Sequence, residues 1–118
     1  MLAALLGALA LGIFAFGFIE VVLLTFSGLK KLIKKKINNN PPGITEEAII
    51  HIKSILDQAP KLSLEDFGPD IQLDDFLMVG IKDDGNFDEN LDIIRAKQVD
   101  DDVIASMKKA GGAMKVMA

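Results

Sequence analysis

Oxygen-bearing side chains alternate at Asp84, Asn86, Asp88, Asn90 and Asp92. This is the first pattern in the chain that suggests chemistry, because a calcium loop of the EF-hand type opens the same way. Such a loop also needs a glycine at its sharp central turn and a closing glutamate that binds through both oxygens. With Asp84 placed first, Glu89 stands where the glycine belongs and Arg95 where the glutamate belongs. The spacing is then read as one solvated face of a hairpin, since alternate residues on a strand share a side. Asp100, Asp101 and Asp102 are a second acidic group. At the start of a helix they serve the cap and the positive end of the dipole rather than a metal. His51 is the only histidine. With no second ligand or partner carboxylate at helical spacing, it reads as a boundary residue of an apolar face.

No zinc spacing, phosphate-binding glycine loop or serine–histidine–aspartate set is visible, and there is no cysteine. The expectation is therefore a non-enzymatic chain with no catalytic, cofactor-binding or metal residues. A calcium or small-ligand sensor is an alternative.

Position is decided by the stretch before these groups. Leu2 to Phe26 contains only Glu20 and Thr25 as polar side chains, and about 20 apolar residues suffice for a membrane helix. Nothing basic precedes it, while Lys30, Lys31, Lys34, Lys35 and Lys36 follow it directly. That arrangement reads as a retained anchor with lysines at the lipid headgroups. The N-terminus is then exoplasmic and the C-terminal part cytoplasmic, or on the equivalent sides of an organelle or virion membrane.

On such a helix Ala4, Ala8 and Gly12 form a ladder of small residues suited to close packing. Glu20 falls on the opposite side, as an intramembrane polar contact or, in an alternative reading, the lining of a small oligomeric pore or proton path.

Charge divides the chain. Residues 29–36 carry five lysines and no acid; from Ile37 onward there are eight basic and sixteen acidic residues. An acidic region of this kind argues against nucleic-acid binding.

The sequence therefore predicts a single transmembrane helix over 1–28, a basic extension and Asn/Pro linker over 29–43, and a small acidic α+β domain over 44–118. In that domain the order is helix (45–59), strand (76–82), an Asp-Gly hairpin turn, strand (within 87–97), helix (100–110) and a weak last strand from Ala113. The function that follows is a structural or accessory subunit of a membrane assembly or a membrane-containing virion. Its expected partners are the lipid bilayer, other transmembrane helices, and a soluble or shell protein docked by the acidic domain.

Overall fold

The computed structural model describes residues 15–39, 43–58, 63–67 and 71–117. Its frame is a five-stranded mixed sheet. Strand β1 is Ala15–Leu24, β2 Ile44–His51, β3 Phe76–Lys82, β4 Phe87–Val99 and β5 Ala113–Met117. The spatial order is β1-β4-β3-β2-β5. β1 lies parallel to β4, and every other neighbouring pair is antiparallel. Helix α1 (Phe26–Asn38) follows β1, α2 (Ile52–Gln58) follows β2, and α3 (Asp101–Lys109) follows β4. A short 3-10 turn spans Leu64–Phe67.

This corrects the expected fold class. Among the described residues, no helix is long and apolar enough to cross a membrane. The apolar stretch instead divides at Thr25. Residues 15–24 contain phenylalanine, isoleucine and paired valines, which favour a pleated surface, and they form an edge strand along β4. Exposure alternates along much of it: Ile19 and Val21 pack inward, whereas Phe18 and Val22 are exposed. At Gly17, where β1 passes Asp92, a Cβ would lie 2.5 Å from the Asp92 carboxylate, a contact that a turn of that side chain relieves.

Thr25 then caps α1, its hydroxyl accepting the Gly28 N–H at 3.0 Å. Leu29, Leu32, Ile33 and Ile37 form the stripe that lies on the sheet, with Leu29 and Ile33 buried. The lysines occupy the rest of the helix, and Lys35 and Lys36 complement the negative end of its dipole. The single-pass placement, with its exoplasmic and cytoplasmic sides, falls with the helix. The lysines that set the orientation belong to a helix packed on a sheet.

The second correction concerns residues 45–59. The first half of the expected helix is strand β2; only Ile52–Gln58 is helical. β2 lies between β3 and β5, so both its edges are paired, and side chains pack on both its faces. Ala48 and Ile50 pack on one side, with α2 and Ile71, and Ile49 packs on the other, with α1 and α3. A strand buried on both faces carries a continuous apolar run rather than an alternating one.

The remaining elements are of the expected kind, with β4 longer than the strand expected within 87–97, since it ends at Val99. Asp83–Asn86 turns β3 into β4 with Gly85 at φ +86°. α3 runs between Asp100 and Ala110, and Gly111 and Gly112 end it with positive φ. Gly112 also makes the closest backbone approach in this corner. Its N–H reaches the Met107 carbonyl at 2.7 Å, its carbonyl accepts the His51 N–H at 2.9 Å, and a Cβ would lie 3.0 Å from the Ile55 nitrogen. Only glycine meets both demands.

Candidate functional site

α1 crosses the sheet without covering it evenly. On the β5 side it leaves a groove of about 500 Å³. The floor is Met114 and Val116, the two β5 side chains that point toward α1. The wall is the apolar stripe of α1, from Phe26 through Leu29 and Ile33 to Ile37, and the rim carries the exposed Lys30 and Lys34. β5 pairs only with β2 among the described residues, so its outer edge borders this groove. An apolar trough beside a strand edge that is unpaired among the described residues, under two ammonium groups, has the chemistry of a peptide-binding surface.

A second, more polar cavity of about 250 Å³ opens at the other end of the same face, where α3 meets the ends of β2 and β4. His51, Lys53, Asp74, Lys97 and Lys108 contribute its polar groups. His51 is fully buried and stacks on Phe76, its partner across β2 and β3, with ring centroids 4.6 Å apart. Its Nδ1 lies 2.6 Å from the Ser54 hydroxyl, and its Nε2 has no hydrogen-bond partner. Burial pushes its pKa below the ordinary histidine value, and the opposing pull of Asp74 does not restore it. The boundary histidine of the sequence reading is thus a core residue.

A lowered histidine pKa fixes the sign of an acid response. The unfolded chain takes up a proton near pH 6.5 while the folded chain does not, so His51 weakens the fold as pH falls below 6.5 toward the folded value, and contributes no pH dependence above about 7. The limiting slope is about 1.4 kcal/mol per pH unit. Urea unfolding at pH 7.5 and 5.5, compared with the same pair for His51→Gln, isolates it. A variant that loses as much stability on acidification as the parent contradicts the assignment.

The other sequence candidates are dispersed. Ala4, Ala8 and Gly12 lie outside the described residues. Glu20 is exposed on β1, opposite Arg95 in the β1–β4 register, beside a surface hollow that includes Gln72 and Lys97. Lys30 and Lys34 line the groove, Lys31 and Lys35 are exposed, and Lys36 pairs with Asp92 at 2.9 Å.

The alternating acids do not converge. Asp84 accepts the backbone N–H of Asn86 at 2.9 Å and its side-chain amide at 3.0 Å, which holds the hairpin turn and lowers the Asp84 pKa. Asp88 accepts the Asn90 N–H at 3.4 Å. Among the described residues, no three acidic, histidine or cysteine side chains are grouped to hold a metal. Asp101 and Asp102 lie in the first turn of α3, as the dipole argument requires.

What the sequence reading missed is the groove. Its signal was present as two matching patterns, the apolar stripe of α1 and the Met114/Val116 alternation, but nothing local brings them together. The chain matches no family model, no curated protein and no solved structure.

Proposed function

We propose that this chain is a non-catalytic docking module that captures an extended, acidic segment of a partner protein at the open edge of β5. The observation that carries this reading is the apolar groove between α1 and β5, rimmed by Lys30 and Lys34. An added strand satisfies its backbone through the β5 edge, and every second side chain then drops toward Met114 and Val116. The intervening or flanking carboxylates meet the α1 lysines.

Each apolar side chain buried contributes roughly 1.5–3 kcal/mol before ordering costs. Each exposed charge pair adds about 0–1 kcal/mol. Two anchors and two pairs therefore give about 3–8 kcal/mol before those costs, a Kd between about millimolar and micromolar, suited to an exchangeable accessory subunit.

An eight-residue peptide alternating valine with glutamate, titrated into isotope-labelled protein, tests this. Amide shifts are expected along residues 113–117 and on α1, with at least ten-fold weaker binding after Lys30→Glu/Lys34→Glu. A valine–lysine peptide is expected to bind poorly. Equal binding of both peptides, or shifts that avoid β5, removes the reading.

A further inference from the structure

We infer that the outer edge of β1 docks a second copy of this chain, which lays its own β1 antiparallel to the first across a two-fold axis and so joins two five-stranded sheets into one. This surface lies at the opposite end of the sheet from the β5 groove and does not depend on it.

β1 is an edge without the usual defences. Edge strands that stay unpaired are kept short, or carry lysine, proline or a bulge. β1 runs for ten residues with neither lysine nor proline. Among the described residues it pairs with β4 alone. β5, at the other end, has five residues and carries the exposed Lys115.

Exposed apolar surface gathers at the same place. Phe18, Val22 and Leu23 are three of the four large apolar side chains exposed among the described residues. The core cluster on the α2 side takes residues from β2, β3 and β4 and, among the described residues, none from β1. Phe18 lies opposite Ile93, a member of that cluster, so Phe18, Glu20 and Val22 share that face and stand bare on it.

Charge selects a copy of the same strand as the occupant. Glu20 is the one charged residue of β1. One strand inward, on β4, stand two cations. Arg95 is opposite Glu20 in the register and lies 5.3 Å from the Phe18 ring, and the exposed Lys97 lines a hollow with Glu20 and Val22. A two-fold axis through Glu20 would set two carboxylates directly opposite each other, which destabilises a ladder. An axis through Ile19 or Val21 removes that clash. Glu20 then faces the partner subunit's Phe18 or the partner subunit's Val22, with a cation of the partner's β4 behind it. Each copy offers its acid to the other's cations, so the surface complements itself, as an isologous contact must. The two-fold also closes the assembly at two copies and leaves both β5 edges free.

One strand pairing buries less than a standard interface, so the dimer is a weak one, with a Kd on the order of 100 µM. At a few micromolar the chain is then monomeric, and unfolding at that concentration reads the monomer.

Sedimentation equilibrium of the full chain from 5 to 500 µM tests this. The weight-average mass is expected to start near the 12.8 kDa of one chain and to climb toward twice that value without passing it. Amide shifts that change with concentration are expected on residues 17–24 and not on 113–117. Two variants are each expected to weaken association at least ten-fold while the amide spectrum stays folded. Glu20→Lys sets a cation against the partner's cations in either register, and Val22→Asp puts a charge on the apolar strip. Lys30→Glu/Lys34→Glu, at the groove, is expected to leave association unchanged. A mass that stays at 12.8 kDa at 500 µM shows the edge to be covered within the chain and overturns the proposal. Association that survives both β1 variants, or that grows beyond two copies, overturns it as well.

Discussion

Arg95→Met is expected to cost the fold about 3–5 kcal/mol and to lower the melting temperature by roughly 10–15 °C. Asp75 immediately precedes β3, with its side chain 2% exposed. Its two oxygens accept Arg95 Nε at 3.0 Å and Nη2 at 2.8 Å. This planar, bidentate geometry is one that lysine cannot reproduce. The same carboxylate accepts the Gln72 N–H at 2.8 Å, and the Asp75 carbonyl accepts the Ile52 N–H that opens α2. The pair therefore pins the segment that brings Ile71 into the core.

Methionine fills much of the space of arginine but leaves a carboxylate buried without its cation. The large penalty arises there, rather than from the worth of the pair itself. A double-mutant cycle separates the two. Asp75→Asn/Arg95→Met is expected to be more stable than Arg95→Met alone, because the stranded charge is gone. Urea unfolding of Arg95→Met, Asp75→Asn and the double variant decides it. A loss below about 1 kcal/mol for Arg95→Met would show the pair to be an ordinary surface contact.

The second large effect comes from two positions that sit two residues apart in the apolar stretch. Leu24→Asp is expected to abolish the folded state, whereas Val22→Asp changes stability by no more than about 0.5 kcal/mol. Leu24 is fully buried at the end of β1, where its carbonyl accepts the Asp100 N–H at 3.0 Å; Val22 is 71% exposed. Removing a buried leucine side chain costs about 2.7–5 kcal/mol, and placing a carboxylate in the space adds a desolvation cost. Together these rival the whole stability of a small domain, about 5–15 kcal/mol. A membrane helix would treat both aspartates as charges moved into lipid. Circular dichroism and amide spectra of the two variants thus test the strand directly. Equal tolerance or equal damage at 22 and 24 would refute the arrangement.

The elements closest to their own turn chemistry were the legible ones. Phe76–Lys82, the Asp83–Asn86 turn, the helix opened by aspartates and closed by Gly111-Gly112, and the last strand are each specified within about a dozen residues. The misread elements are those whose state is set by distant partners. Residues 15–24 carry enough apolar side chains to satisfy a helix in lipid; what makes them a strand is β4. The cue available locally was the density of phenylalanine, isoleucine and valine, set against the length of the run. In residues 45–59 Ala48, Ile49, Ile52, Ile55, Leu56 and Ala59 fit one helical stripe, and Ile50 falls off it. It is fully buried because β2 has no solvent face.

The histidine cavity was illegible for the same reason. Lys97, Lys108 and Asp74 come to the cavity beside His51 only through the sheet and α3. For the groove, half the pattern lies in one short stretch, the apolar Leu29, Leu32, Ile33 and Ile37 among the lysines. Its counterpart on β5 lies some 80 residues on.

The parallel pairing of β1 with β4 also has a cost in time. Ala15 meets Asn90 across the ladder, 75 residues later in the chain (90 − 15). At about 5–20 residues per second of synthesis, a ribosome needs roughly 4–15 s to deliver the partner. During that interval an apolar ribbon waits with its hydrogen-bonding groups unmet. Refolding should be paced by this late closure, on the millisecond-to-second scale of non-local sheets, and nascent chains halted before Leu91 should be the ones that clump.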